Sequence, residues 1–576
     1  MPGGLLNIIS EGNQNVILNG NPSKTFFKTT YSKYTNFGLQ NFRVDYSGIK
    51  DINPTEESVY TFKIPRNAEL LLNTYFVFTL PDIWSTILPP MIDNDIWKPY
   101  HFKWIKNIGT SIIKTIKIYI GSQIVQEYTG EYIRTIVERD YTEEKKKMFD
   151  LMTGNVEEYH SPENIKENSN SYPNAFYITG DGDVPGNPEP SIKGRKLYVP
   201  INAWYTYSSK QSVPLVSLQY SEMRIEITIR SIREIFTINN ISDDALNSSN
   251  TFEESDLQDN EINLYKRISP SFTNNNHLLY RFLQPPPSIT LNAEDYTNKI
   301  TNWNADAHLI CTYGFLTEEE SRVFALNEQK YLIKDIKHNI FYNISGTNKI
   351  KIDTNSLVKS WLWFYRRSDV NLRNEWSNYT NWPTSNRPYR LVSPENETSL
   401  RLAGRTEAGG SGTGPGQNPL RPNVGISTNI KQTPMISINN EKYILKKFTI
   451  LLDGKFRENE LDSGIFKYLE NYRSSRLNKD VGLYSYNFCI NTYDENQPSG
   501  AMNLNKFKNI EFEMTTIEPE INPDSTFDVI CDENGDIIGT NKQKSIFKYS
   551  YDLHLYEERY NILRFMSGNA GLLFAR

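Results

Sequence analysis

Residues 116–136 read IKIYIGSQIVQEYTGEYIRTI, and residues 448–469 read FTILLDGKFRENELDSGIFKYL. Each is an alternating apolar run, a Gly turn, a more polar run and a short helix-prone segment. Alternation puts Ile116, Ile118 and Ile120 on one face and Lys117 and Tyr119 on the other, as a half-buried antiparallel strand requires. MRIEITIRSI (223–232) and NIEFEMTT (509–516) alternate in the same way. In the first half Leu197, Pro214 and Ile225 follow one another, in KLYVPINAWY (196–205) and beyond; in the second, Leu483, Pro498 and Ile510 do so at similar spacing, starting in GLYSYNFCI (482–490). The pattern predicts two tandem copies of one β unit.

Working outward, SWLWFYRR (360–367) is aromatic enough for a more buried strand. Helices are expected over 130–152 and 317–333, the second opening with Thr317 and Glu320 in a capping-box arrangement. Strands punctuated by Gly, Pro and Asn, with few helices, predict sandwiches or jelly rolls. Residues 237–277 are rich in Asn, Ser, Asp and Glu and read as a linker or crossover. Residues 378–440, containing AGGSGTGPGQNPLRPN, and 153–195, containing DGDVPGNPEP, cannot build a core and are expected to form long surface loops.

The 576-residue chain is long enough to bury sizeable cores, and its formal net charge of -6 argues against a protein whose main task is holding duplex DNA. Cys311, Cys489 and Cys531 are odd in number and widely spaced, so neither a disulfide framework nor a structural zinc site is expected. No run is apolar enough for a signal peptide or membrane span, and a soluble intracellular product is expected. No metalloprotease, nucleophile-elbow, P-loop or dinucleotide-binding motif occurs. The six histidines (101, 160, 277, 308, 338, 554) show no metal-ligating spacing. Asp181 and Asp183 suggest a calcium loop, but Pro185 stands where the next ligand belongs. CDENGD (531–536) reads as a turn, Glu318 and Glu319 as helix-start acids, and EEKKK (143–147) as a solvated helix face. The sequons at Asn240, Asn247, Asn343, Asn378 and Asn396 are no more than abundant Asn gives by chance. No catalytic residue, cofactor or metal is expected, and the chain reads as a non-enzyme. A glycosidase carboxylate pair has no support in the spacing.

One stretch is unusual: LNGNPSKTFFKTTYSKYTNF (18–37) interleaves Lys24, Lys28 and Lys33 with Phe26, Phe27, Tyr31, Tyr34 and Phe37, without an acid. Single-strand nucleic-acid binders use that mixture. The reading favoured is an extended arm whose Phe26, Phe27 and Phe37 dock onto a sheet.

That stretch, within GGLLNIISEGNQNVILNGNPSKTFFKTTYSKYTNF (3–37), resembles the start of the major capsid proteins of nucleocytoplasmic large DNA viruses, the algal-virus, iridovirus and mimivirus kind. Four further stretches match in order: 197–229, 307–333, ENQPSGAMNLNKF (495–507) and YNILRFMSGNAGLLFA (560–575). The resemblance implies an all-β double jelly roll, two tandem eight-stranded antiparallel units with a few short helices and long surface loops. It also implies a homotrimeric, pseudo-hexagonal capsomer tiling an icosahedral virion shell. On this reading residues 1–24 form an N-terminal assembly arm, 25–236 the first roll, 237–270 the crossover and 271–576 the second roll with its insert at about 378–440. The arm set is Gly3, Gly4, Leu5, Asn21, Pro22, Thr25, Phe26, Phe27, Lys28 and Phe37. Implied partners are neighbouring capsomers, minor capsid and vertex proteins, and an inner viral membrane nearby, with assembly in the host cytoplasm and no specific nucleic-acid binding. Alternatives are a minor or vertex capsid protein of the same fold, and a jelly-roll carbohydrate-binding protein or glycosidase.

Overall fold

Period-two alternation becomes strands wherever it is clean. IKTIKIYI forms a strand at Ile113–Ile120 and MRIEITI one at Met223–Ile229; their registered pairs Ile116↔Ile227 and Ile118↔Ile225 put four buried isoleucines on one face. In the second half Ile510–Thr516 pairs with Leu445–Leu452, placing Phe512 opposite Ile450 and Met514 opposite Phe448. The computed structural model describes residues 3–574 except 11, 47, 49–50, 86–100, 166–171, 174–188, 240–266, 286–295, 297, 355, 385–440, 478–480, 523–526, 532–536 and 543–545. The tip of the 153–195 loop, most of the Gly/Pro-rich insert, the Asp181/Asp183 segment, the tip of CDENGD and the sequons at Asn240, Asn247 and Asn396 lie outside the described residues. The strands flanking CDENGD, Phe527–Cys531 and Ile537–Lys542, pair antiparallel.

Sixteen strands carry the architecture. The first eight are β1 (Phe37–Asp45), β2 (Ser58–Lys63), β3 (Leu70–Leu80), β4 (Ile113–Ile120), β5 (Gln123–Tyr128), β6 (Arg195–Pro200), β7 (Met223–Ile229) and β8 (His308–Leu316). The second eight are β9 (Gln329–Ile344), β10 (Thr347–Ile352), β11 (Leu357–Arg367), β12 (Leu445–Leu452), β13 (Lys455–Asp462), β14 (Tyr484–Asn487), β15 (Ile510–Thr516) and β16 (Tyr551–Met566). The first set forms two antiparallel sheets in the orders β1-β8-β3-β6 and β2-β7-β4-β5. Adding eight to every label gives the second set: β9-β16-β11-β14 and β10-β15-β12-β13. This order is that of a jelly roll, present twice.

The duplication read from sequence is therefore real, with three adjustments. First, β8 lies in the segment expected to open the second roll, yet it pairs with β1 and β3 and completes the first. The polar stretch 237–270 falls between β7 and β8 in the chain, with 240–266 outside the described residues; its composition does not say which units it joins. Second, Leu197 and Ile225 correspond to the strands of Leu483 and Ile510, but Pro214 sits in a short strand, Val213–Pro214, whose counterpart is Met502–Asn503, beyond Pro498. Third, the 317–333 helix stops early: the helix at Glu318–Leu326, capped by Thr317 accepting from Glu320 N, gives way to β9 at Gln329. There β9 gains a full ladder against β16, an option no local helical pattern offers.

Between the sheets of the second roll, Trp363 stacks on Phe448 at 4.7 Å, and Phe448 and Trp361 meet Phe512 edge-on at 4.8 and 5.0 Å. Such pairs add about 0.5–1.5 kcal/mol each beyond burial. The core of the first roll extends onto Ile333, Ile336, Phe364 and Tyr556 of the second, while the inter-sheet core of the second roll, with Trp361, Trp363, Phe448 and Phe512, forms a separate cluster.

Candidate functional site

Among the described residues no three His, Cys, Asp or Glu side chains are placed to hold a metal ion. No described helix is long and apolar enough to cross a membrane. Cys311 and Cys489 are buried thiols, and burial pushes the Cys311 thiol up to about 12. The chemistry of the chain lies instead in its surfaces and in the junction between its rolls.

The arm begins with a helix, α1 (Gly3–Ile9), and runs through Asn21, whose backbone is left-handed (φ 55°), and Pro22. Thr25 Oγ1 accepts from the Phe27 amide, Lys24 lies over the Phe26 ring, and Phe37 opens β1 opposite Leu316. Gly4, Leu5, Asn21, Pro22, Thr25, Phe26, Phe27, Lys28 and Phe37 are all exposed, Phe27 by 99%. The expectation that Phe26 and Phe27 dock onto a sheet fails within this chain. Leu6, Ile8, Ile9, Ile17 and Leu18 are exposed too, making an apolar ribbon that a lone soluble chain rarely shows.

The junction between the rolls is built on two helices of the first, α2 (Gly130–Asp140) and α3 (Glu143–Thr153), where one helix had been expected. The chain breaks at Tyr141 because Thr142 starts a new N-cap, accepting from the Lys145 amide. Every residue of α2 is buried. Arg139 reaches across the rolls to Glu558 of β16 at 2.9 Å and also holds Asp140 at 2.8 Å. Glu558 further accepts from Tyr132 Oη at 2.6 Å and from Ser360, and lies 3.4 Å from Lys334. Burial alone would raise its carboxyl, but Arg139, Lys334 and Lys359 hold it well below the usual range. Glu495, from the ENQPSGAMNLNKF stretch, bridges Lys334 at 2.6 Å and Lys359 at 3.3 Å.

A second polar knot centres on Glu131, which takes Arg230 of the first roll at 3.1 Å and Arg366 of the second at 2.5 Å. Burial works against its charge, yet Arg366, aided by His554 and Arg230, pulls the carboxyl down to about 2. Beside it His338 Nε2 and His554 Nδ1 approach to 3.2 Å, with His338 stacked on Tyr556 and His554 on Phe364. Burial drives His338 down to about 4 and His554 well below its ordinary value. Sequence spacing gave no hint of this pair, which only the β9–β16 register creates. Nor did it reveal that Lys146, placed on a solvated face, is buried against Glu138.

The final hairpin docks back on the first roll. Residues Asn569–Leu572 pair with the end of β16, Tyr220 N donates to Gly568 O at 3.0 Å, and Ser221 Oγ donates to Asn569 Oδ1 at 2.8 Å.

At two surfaces the duplicated rolls differ. In the first roll β5 is covered: Gln126 Nε2 donates to Lys334 O of β9 at 2.8 Å. Its counterpart β13 is open and charged (KFRENELD), as an uncovered edge strand should be, yet it carries exposed Phe456. The helical segment after β13, Ile465–Ser474, matches α2 but exposes Tyr468, Leu469 and Tyr472.

A family model described as large eukaryotic DNA virus major capsid protein matches residues 320–571, and one described as major capsid protein N-terminus matches residues 25–267. The chain is 22% identical to the major capsid protein of Phaeocystis pouchetii virus over 618 residues, and 20% identical to that of Paramecium bursaria Chlorella virus 1 over 577, covering 100% of each protein in both cases. Among solved structures it is similar in fold to the PBCV-1 virus capsid, with a TM-score of 0.56 at 16% identity, covering 96% of this chain and 100% of that one. For the Faustovirus major capsid protein the TM-score is 0.55 at 10% identity, with coverage of 94% and 93%. Two family models spanning both rolls, and the double jelly roll itself, lead to one conclusion: the chain belongs to the major capsid protein family of large eukaryotic DNA viruses.

Proposed function

We propose that three copies of this capsid protein associate into a capsomer of six jelly rolls, and that such capsomers tile an icosahedral shell. One observation carries this reading. The face made by α2 and β5 of the first roll is filled by the second roll of the same chain, whereas its duplicate in the second roll is open, with Phe456, Tyr468, Leu469 and Tyr472 exposed beside the charged residues of β13. The surface equivalent to the β9 side of the junction is the β1 side of the first roll, where Phe37 and Leu39 are exposed. Repeating the internal contact between chains is heterologous and head-to-tail, and it makes a ring when the rotation closes. Three two-roll chains give six positions.

In this proposal the arm, from Gly3 to Phe37, supplies apolar area to neighbouring copies or minor capsid proteins on the inner side, close to a membrane. Outward-facing loops come from within 153–195 and 378–440, between ends that are anchored by buried Tyr159, Ile192, Tyr379 and Asn381, and assembly takes place in the host cytoplasm. The role is structural and uses no catalytic group. Light scattering on the purified chain tests it: a stable species of three chain masses, each 66.8 kDa, is expected. A monomer that persists at high concentration would count against self-assembly.

A further inference from the structure

Where the rolls meet, a cavity of ≈180 Å³ opens between the α2–α3 corner, the segment after β6, and Arg476 with residues 493–496 of the second roll. Its lining is asymmetric in charge and in hydrogen bonding. Lys145 lies over the Tyr141 ring at 3.9 Å and Arg476 over the Tyr493 ring at 4.0 Å. Neither cation has a carboxylate within ion-pair distance among the described residues. They feel one another, since burial and then Arg476 push the Lys145 ammonium down.

The three lining acids are each committed elsewhere. Asp140 holds Arg139 and accepts from Thr492, Glu495 bridges Lys334 and Lys359, and Asp494 Oδ1 accepts from the amides of Asn496 and Gln497. Two donors at the cavity wall lack an acceptor. Asn202, 6% exposed, uses its Oδ1 to accept from Tyr141 Oη at 3.0 Å, which leaves its Nδ2 without a partner. The buried hydroxyl of Tyr207 is likewise unpaired. An unpaired buried donor costs about 1–3 kcal/mol, so an acceptor of matching shape is favoured there.

We propose that this cleft binds one small tetrahedral oxyanion of the phosphate or sulfate class, clamped between Lys145 and Arg476 and accepting from Asn202 and Tyr207. The volume is several times the ~30 Å³ share of one water, so an inorganic anion with its residual hydration fits. Guanidinium and ammonium groups favour such oxygens, and the two tyrosine rings hold both cations in place. Because Lys145, Asn202 and Tyr207 come from the first roll and Arg476 from the second, the anion ties the rolls together. The site is independent of how copies of the chain assemble.

Inorganic phosphate is the probe. Calorimetric titration of the intact chain, against chloride at equal ionic strength, is expected to give saturable binding at one site per chain and a higher thermal unfolding midpoint. Arg476→Ala and Lys145→Ala shorten side chains at the mouth of the cleft that hold no ion pair among the described residues, and both should fold; each is expected to weaken binding at least about tenfold, as loss of one charge-assisted bond does. Arg476→Lys should retain part of the affinity. Phosphate also stabilises proteins generally by exclusion from their surfaces. A midpoint rise equal in wild type and both alanine variants, or the absence of saturable heat, would therefore overturn the proposal.

Discussion

Glu558 is fully buried and satisfied by groups from both rolls, Arg139 and Tyr132 on one side and Ser360 and Lys334 on the other. Glu558→Gln keeps its volume but leaves Arg139 with Asp140 alone and Lys334 with Glu495 alone, so the expected loss is about 3 kcal/mol in urea unfolding, the low end of the cost of breaking a buried pair. The histidine pair sets a pH dependence. His338 takes a proton near its ordinary 6.5 when unfolded but only near 4 when folded. The unfolded chain therefore binds more protons between those values, and stability falls as pH drops from about 6.5 to 4, by roughly 2–3 kcal/mol for this one site. Glu131 acts in a lower window: its folded value of about 2 makes its contribution full above its ordinary 4.5 and lost as pH falls further. The groups facing the pair are Glu131, Arg366 and Arg230, with Tyr556 and Phe364 stacked upon it. Unfolding of His338→Gln should show a shallower decline between pH 6.5 and 4 than wild type; equal slopes would place the acid sensitivity elsewhere.

At the scale of elements, two glycines that look alike in sequence have different reasons to be there. Asp453 and Gly454 form the two-residue turn between β12 and β13, both with positive φ (48° and 75°), the type I′ geometry that strand twist favours. Nothing lies within 4 Å of a Cβ at Gly454, so Gly454→Ala should cost only the backbone penalty, about 1 kcal/mol. Gly130 starts α2, and a Cβ there would collide with the carbonyls of Thr110 and Ile113. Gly130→Ala should cost about 3 kcal/mol or more, because rigid backbone must move. Thermal unfolding of the two variants separates the cases. The local signals explain what could be read in advance: alternation in β4, β7 and β15, the Gly turns at 121 and 454, and Thr317 as a cap. What could not be read is set by distant partners. Strand β8 belongs to the first roll because β1 and β3 lie on either side of it, and Lys146 is buried because Glu138 is one helix away. The aromatic and basic character of 18–37 was legible, but its aromatics are exposed on this chain, so the surface expected to cover them was not.

The whole molecule joins two copies of one sandwich through a filled face and leaves the duplicate of that face empty. Tyr472→Glu puts a charge on the empty face without touching either core; it should shift the assembled species to monomer in light scattering while leaving the unfolding midpoint within about 1 °C, as surface changes usually do. A Tyr472→Glu chain that still trimerises would mean another surface carries the contact. Removing residues 1–36 should likewise leave both rolls folded, since none of the described side chains of this segment is buried. The C-terminal strand β16 has a different status. It is an inner strand of its sheet, supplies Glu558 to the junction, and continues into the hairpin that docks beside Tyr220. As the chain leaves the ribosome, Arg139 and Lys334 are made long before Glu558, the carboxylate they share across the two rolls. A nascent chain that has not yet reached β16 therefore holds a junction lacking its shared carboxylate, and β16 is what seals it. Truncation late in translation would leave a recognisable unfinished product rather than a slightly shorter coat subunit.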